Sequence, residues 1–402
     1  MKKIAMIVFS PYPHDVRVRR EAEALYESGY SVDIFCRAHK NEPIKENVDG
    51  NETYRVHLDR KRTGIFFYFY EYFYFFVWSF LKITYHYARK RYDVVHIHNM
   101  PDFLVFTAII PKLFGAKIIL DLHDPMPELF STIYSIQENH LAIKFLIFIE
   151  KASIRFANHV ITPNISFRKL FISRSCKENK INIIMNSPDE KIFNSNLIDN
   201  NKGESENRFI IMYHGAIVER SGLDLAVKAV ALLKQKIPNL QLKIYGGGNF
   251  LVEVKKIIDD LKINDIVEMN GLQIVDKIAA IIPSINVGII PNRFNSFTQL
   301  NFPVRVFEYL VMNKPVIVPR TQGIMDYFGE DAIIYFDTPT PENLAVKLWD
   351  VYSNTLKSEE ILKKAVEVFN KNRWSKQKQK LIKIYQGLIE LGKIDATQIE
   401  IH

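Results

Sequence analysis

Short apolar runs alternate with longer stretches of helical period through the first half of the chain. The runs at 4–9, 32–36, 94–98, 117–122 and 160–162 read as buried strands, and 16–28, 103–114 and 142–156 read as helices between them. Such repetition specifies a mostly parallel sheet covered on both faces. Gly29 and Gly115 stand directly behind two of the helices, where C-caps belong. From Asn186 to Asn207 the pattern lapses into a stretch rich in Asn, Ser, Asp and Glu, which reads as an interdomain linker.

The alternation then restarts. Strands are expected at 209–213, 240–245, 266–269, 287–290 and 315–318, and helices at 223–235, 250–261, 275–281 and 304–312. The expected fold class is α/β, with two Rossmann-like doubly wound domains at 1–190 and 208–380, a linker at 191–207, and a C-terminal helix and tail at 381–402. The segment 359–392 has helical period and is expected to cross back to the first domain. Ligands of such sheets bind at the carboxyl ends of the strands, so the expected site is a cleft between the two domains.

Composition narrows the class. A chain of 402 residues exceeds one compact core, and 48% apolar with 24% charged residues suits a soluble globular protein. Only Cys36 and Cys176 are present, without CxxC or Cys/His spacing. Neither a disulfide framework nor a structural zinc site is supported, and the reducing cytosol fits best. The apolar stretch near the N-terminus is too short for a signal peptide and is read as a first strand. The net charge of +8 favours an anionic partner, namely nucleic acid, anionic lipid or a phosphorylated ligand. No nucleic-acid-binding motif accompanies it, so nucleic acid is the weakest of the three.

Several segments carry candidate chemistry. His214-Gly215-Ala216-Ile217-Val218-Glu219-Arg220-Ser221-Gly222 follows a strand and precedes a helix, where glycine lets a ligand approach the backbone and Arg220 offers a fork of donors to phosphate. A tight turn with a solvated arginine fits the same residues. Tyr245-Gly246-Gly247-Gly248-Asn249 repeats the geometry and would expose amides to an anion, although it falls short of a full GxGxxG. Further on, Arg293 precedes Phe302-Pro303-Val304-Arg305-Val306-Phe307-Glu308, in which Arg305 and Glu308 share a helical face. That spacing suits either an ion pair or a helix start carrying a guanidinium for phosphate and a carboxylate for ribose. In the first half, Asp121-Leu122-His123-Asp124-Pro125 ends a strand; His123 could donate to a sugar hydroxyl or phosphate with Asp124 orienting it. His96 and His98 are expected on opposite faces of their strand, and so not as joint ligands of one metal.

In these residues the chain resembles the retaining family 4 glycosyltransferases, which have the GT-B fold. The resemblance runs through SPYPHDVRVRREAEALYESGYSV, YDVVHIHNMPDFL, ILDLHDPMPELF, YHGAIVERSGLDLAVKAV, KIYGGGNF and PVRVFEYLVMNKPVIVP, six modest matches in the right order. It implies that Glu308 is the second glutamate of a paired-glutamate motif and holds the donor ribose, that Arg220 is the phosphate-binding base, and that His123 stands beside the transferred sugar. Gly215, Gly246, Gly248, Arg293 and Arg305 join the implied donor site, and Asp15, Arg17 and Asp102 the acceptor side. Two residues depart from the family pattern. Leu300 stands eight residues before Glu308, where the first glutamate is expected, and Ser221 occupies the place of the usual lysine before glycine.

The implied reaction is transfer of a sugar from a nucleotide-sugar donor with retention of configuration, to a glycan or lipid-linked acceptor in cell-surface polysaccharide or glycolipid synthesis. No cofactor and no metal are expected, because no metal-ligand cluster is legible and basic side chains can stabilise the departing diphosphate. A nucleotide-sugar epimerase of the same fold and a degenerate, membrane-associated nucleotide-binding scaffold are the alternatives. Residues 65–87 are packed with aromatics and flanked by Arg60-Lys61-Arg62 and Arg89-Lys90-Arg91. Their tyrosines, Glu71 and Lys82 argue against a spanning helix and for one lying on a membrane surface, with a wide core helix as the alternative. The expected location is cytoplasmic, on the inner face of the cell membrane.

Overall fold

A computed structural model describes residues 1–58, 65–194 and 208–390. Arg60, Lys61 and Arg62, most of the expected linker, and the last twelve residues of the tail lie outside them. The chain forms two compact units, one of Met1–Asn186 with Lys376–His402, the other of Ser187–Ser375. The first unit therefore ends a few residues before the expected boundary and regains the chain at 376 rather than 381.

The first unit runs β1 (Lys3–Pro11), α1 (Val16–Glu27), β2 (Ser31–Arg37), β3 (Lys45–Val48), β4 (Asn51–Val56), α2 (Ile65–Lys90), β5 (Val94–His98), α3 (Ile109–Leu113), β6 (Lys117–Asp121), α4 (Met126–Tyr134), α5 (Leu141–Phe156), β7 (His159–Thr162), α6 (Ile165–Arg174) and β8 (Ile181–Ile183). Its sheet has the order β3-β4-β2-β1-β5-β6-β7-β8, parallel throughout except for β3 against β4. The 45–56 hairpin went unread because its strands are polar and carry no clean alternation. The helix expected at 103–114 is a 3-10 segment, Asp102–Ala108, followed by the short α3. Asp15 caps α1, accepting from the amide of Val18 at 3.4 Å, and Gly29 takes φ +85° behind that helix.

The second unit runs β9 (Phe209–Ala216), α7 (Leu223–Leu233), β10 (Leu240–Gly247), α8 (Leu251–Asp260), β11 (Val267–Met269), α9 (Val275–Ile281), β12 (Val287–Ile289), α10 (Arg305–Val311), β13 (Val316–Pro319), α11 (Gln322–Met325), β14 (Ile334–Phe336), α12 (Pro341–Ser353) and α13 (Thr355–Lys371). All its strands are parallel in the order β11-β10-β9-β12-β13-β14, the doubly wound arrangement that the sequence implies. Ile211, Tyr213, Leu242, Ile244, Val287 and Ile317 are fully or almost fully buried between the helical layers. The last helix, α14 (Trp374–Glu390), leaves this unit and lies almost entirely in the first, where Leu381, Ile384 and Tyr385 have no exposure.

The aromatic helix α2 has an inner and an outer stripe. Phe75, Ser79 and Ile83 are fully buried, and Phe75 packs edge-on against Phe9 of β1. Tyr70, Phe73, Tyr74, Val77, Leu81 and Tyr85 are exposed. Half of the core-helix reading is thus correct. Among the described residues, no helix is long and apolar enough to cross a membrane.

Candidate active site

In a doubly wound sheet the strand order reverses at one point, and the loops leaving the two strands there diverge and open a crevice. In the second unit that point lies between β9 and β12. The loop after β9 carries Arg220 and the loop after β12 carries Arg293, and the two meet where the amide of Arg293 donates to the carbonyl of Arg220 at 3.0 Å. The expected phosphate-binding arginines are therefore brought together by topology.

The glycines here solve a packing problem. A Cβ on Gly246 would stand 1.9 Å from the carbonyl oxygen of Gly215, one on Gly248 2.1 Å from that of Ile217, and one on Gly222 2.0 Å from that of Pro291. The loops after β9, β10 and β12 can approach one another only without side chains at these positions. Ser221, in place of the family's lysine, closes its own turn: its hydroxyl donates to the carbonyl of Val218 and accepts from the amide of the same residue at 3.2 Å.

Glu308 sits in the first turn of α10, its Oε2 3.3 Å from Nε2 of His214 at the end of β9. Burial, followed by the positive charge of Arg305, pushes the His214 imidazole down to about 3, so the ring is neutral at physiological pH. Arg305 donates from Nη1 to the backbone carbonyl of His214 and lies over the ring of Tyr213, 5.0 Å from its centroid. Arg293 donates to the buried carboxylate of Asp224 at 2.5 Å, while about a third of its side chain stays exposed. Arg220 lies 6.0 Å from the ring centre of Phe297.

A cavity of about 150 Å³ opens beside these groups. Of the sequence-predicted residues Gly215, Gly246 and Glu308 line it, whereas Gly248 and the three arginines do not. Its other walls include Tyr245 of the glycine segment together with Leu272, Gln273 and Phe193, which the sequence did not single out. Gln273 is fixed by donation from Nε2 to the carbonyl of Asn270 at 2.9 Å. The available signal was positional: Leu272 and Gln273 follow β11, on the same strand-end edge as the glycine turns.

The first unit gathers a second set. Its sheet reverses between β1 and β5, and Asp15, Arg17 and Asp102 leave the ends of those strands. Asp15 and Arg17 pair at 3.5 Å. Asp102 is not on the surface: it is 1% exposed, accepts from Asn99 Nδ2 at 3.0 Å, and burial raises its carboxyl to about 7. Asn99 also donates to the carbonyl of Asp124 at 2.8 Å and accepts from the amide of His123 at 2.9 Å, so Asp102 acts through Asn99 on the loop that carries His123 and Asp124. The carboxylate 2.6 Å from Nε2 of His123 is that of Asp121.

The expectation about His96 and His98 is wrong. Residues two apart on a strand share a face, and the two rings lie 4.1 Å apart. With Glu21 and Asp121 they form a buried cluster whose ligand-type atoms all fall within 4.8 Å of one another, so a constellation of metal-ligating types is present where none was read.

Two family profiles divide the chain along these units. "Glycosyl transferase 4-like domain" matches residues 14–187 and "Glycosyl transferases group 1" matches residues 194–368. The chain belongs to the GT-B glycosyltransferases. The amylovoran biosynthesis glycosyltransferase AmsK of Erwinia amylovora is 23% identical over 154 residues, which cover 38% of this chain and only 37% of that relative. Two solved structures share the fold at low identity. Sucrose-phosphate synthase from Thermosynechococcus elongatus superposes with a TM-score of 0.79 at 17% identity, covering 97% of this chain and 100% of the other. HepE of Anabaena in complex with UDP-glucose gives 0.72 at 15% identity, covering 96% and 100%.

Proposed function

We propose that this GT-B glycosyltransferase moves a sugar from a nucleotide-sugar donor to a glycan or lipid-linked acceptor, with retention of configuration and without a metal. The observation that carries the reading is the placing of Glu308: a carboxylate at the start of a helix, on the wall of a ring-sized cavity, beside glycine turns at the sheet's switch point. A carboxylate there can accept from both hydroxyls of a ribose. Arg220, Arg293 and Arg305 supply positive charge for the departing diphosphate, and Arg293 keeps about a third of its side chain open to a ligand. His123, neutral and paired with Asp121, serves the transferred sugar.

Polysaccharide assembly as the setting is supported by the similarity to AmsK, a glycosyltransferase of amylovoran biosynthesis. A cytoplasmic membrane surface is supported by the outer stripe of α2, near which exposed Leu113 and Phe114 lie, with Arg89 and Arg91 beside it. Tyrosine with apolar neighbours and a basic border suits a headgroup interface.

The reading is tested by melting the protein with UDP, GDP and ADP sugars in turn, since a ligand that binds the native state raises its apparent stability. One sugar is expected to stabilise the chain and to be consumed only when acceptor is added. NMR of the product is expected to show the donor's anomeric configuration, and exhaustive EDTA is expected to leave the rate unchanged. Donor turnover without acceptor, an inverted product, or loss on chelation with recovery on adding manganese would each overturn the corresponding part.

A further inference from the structure

The buried cluster of the first unit contains more ionisable groups than a sugar-contacting histidine requires. Asp121 is fully buried at the end of β6, and three imidazoles surround its Oδ2: His123 Nε2 at 2.6 Å, His98 Nδ1 at 3.2 Å and His96 Nε2 at 3.6 Å. The hydroxyl of Tyr385, fully buried on α14, lies 2.7 Å from Nδ1 of His96. Glu21 of α1 closes the group, its Oε2 3.8 Å from the same nitrogen.

A shared ion would be one explanation of such a cluster, and ring geometry decides against it. A metal binds imidazole in the plane of the ring, along the nitrogen lone pair. The His96 and His98 rings lie nearly face to face, centroids 4.1 Å apart and planes 30° apart, so their lone pairs do not converge on one point. The second nitrogen of His96 is already engaged by Tyr385.

A hub of facing titratable groups centred on Asp121 fits better. A carboxylate oxygen and a ring nitrogen 2.6 Å apart repel unless a proton lies between them, so His123 carries its proton on Nε2. The other nitrogen, Nδ1, is buried. Burial is the chief reason that His98 titrates at about 3 and that His123 and Glu21 also shift toward their neutral forms, leaving Asp121 the anion at the centre.

We propose that Asp121 is the positioning residue of His123, holding its ring in one orientation and in the Nε2–H tautomer, and that Tyr385 of α14 anchors the far end of this network through His96. The inference rests on the reading that His123 serves the transferred sugar. It also accounts for the return of α14 to the first unit, because a residue 289 positions from His96 completes the support of this cluster.

The test uses the full chain with 15N-labelled histidine, as wild type, H123A, D121N and Y385F. Long-range 1H–15N spectra of wild type are expected to show His123 protonated on Nε2, and D121N to shift it toward a mixture. In D121N kcat is expected to fall by about a hundredfold or more with the donor KM unchanged, because an amide can donate as well as accept and no longer fixes the ring. Y385F is expected to lower kcat by less, again at constant KM, and to lower the melting temperature by a few degrees, because it strips a buried ring nitrogen of its partner. Full activity in H123A sinks the reading of His123 and the proposal with it. Loss in H123A beside full activity in D121N sinks the positioning role alone. Should D121N fail to fold, the wild-type spectrum decides, since an Nδ1–H ring on His123 overturns the proposal; so does stoichiometric metal in the purified protein by elemental analysis.

Discussion

The Oε2 atom of Glu308 lies 3.3 Å from Nε2 of His214, across the gap between the start of α10 and the end of β9. The histidine is neutral and almost wholly buried. It can steady the carboxylate without discharging it, which leaves Glu308 an acceptor for a ligand. Arg305, on the same helix, is turned to the backbone of His214.

Glu308→Gln should keep the shape of this arrangement and remove its charge. Charge-assisted hydrogen bonds are each worth about 1.5–3 kcal/mol, so donor affinity is expected to fall by about ten- to a hundredfold. Arg220→Ala should do the same by loss of a phosphate contact. Isothermal titration with the stabilising nucleotide sugar, beside a melting curve, checks both; native affinity in two folded variants would remove these residues from the site.

Gly246 and Gly247 are adjacent and both lie in β10, yet a methyl group should separate them. On Gly246 it would meet the backbone oxygen of Gly215 at 1.9 Å, whereas on Gly247 it meets the side chain of Leu272 at 3.3 Å, which is 79% exposed and free to give way. Gly246→Ala is expected to destabilise the second unit by at least about 1–3 kcal/mol and to spread the two turns, with loss of donor binding. Gly247→Ala should stay within about 0.5 kcal/mol in urea denaturation. Equal effects would show that the turns do not owe their approach to the missing Cβ.

Much of this was legible because period and punctuation carry it. Runs such as 4–9 and 240–245 gave the strands, and Gly29 and Gly115 both take positive φ where helices end. Glu308, Gly215 and Gly246 were legible as candidate site residues, and the structure brings them to one cavity. Side-chain orientation and distance along the chain hid the rest. Asp121 stands two residues before His123, and its role was assigned to Asp124 because the sequence does not show which carboxylate points back under the ring. Tyr385 and His96 are 289 residues apart, and no local pattern joins them. Phe75 could not be told from Phe73 by composition, since α2 is aromatic all round and only the packing of Phe9 against it marks the inner stripe.

Stability should fall on both sides of neutrality, for opposite reasons. Burial pushes His98, His159 and His214 down to about 3, against about 6.5 in the unfolded chain, so the native state binds fewer protons between those values. Their contribution is complete above about pH 6.5 and is lost as pH falls toward 3. Burial raises Glu150 to about 8, despite Arg174 at 2.9 Å, so the native state keeps a proton that the unfolded chain releases above about pH 4.3. Its contribution is present at low pH and fades as pH rises through 8. Melting temperatures from pH 4 to 9 should show His159→Gln flattening the acid limb and Glu150→Gln the alkaline limb. Unchanged limbs would mean that these groups titrate as they do in water.

The membrane reading makes its own demand on α2. If the outer stripe lies in headgroups, its attachment combines buried area from Phe73, Leu81 and their neighbours with attraction of Arg89 and Arg91 to anionic lipid. Phe73 is 66% and Leu81 61% exposed, so changing both to Ser removes apolar area without opening the core. That variant is expected to melt like wild type, to stay in the supernatant with anionic vesicles at any salt, and to keep activity on a soluble acceptor while losing it on a lipid-linked one. Wild type should bind less in neutral lipid or high salt, but not lose binding altogether, because screening spares apolar burial. Phe75→Ser is the control from the inner stripe. It deletes a ring with no exposure, packed on Phe9 and Trp78, and should destabilise the first unit by about 3–5 kcal/mol with loss of activity on both acceptors. Wild type that never sediments with vesicles, or an outer-stripe variant that sediments as well as wild type, would leave α2 as a core helix with an aromatic surface.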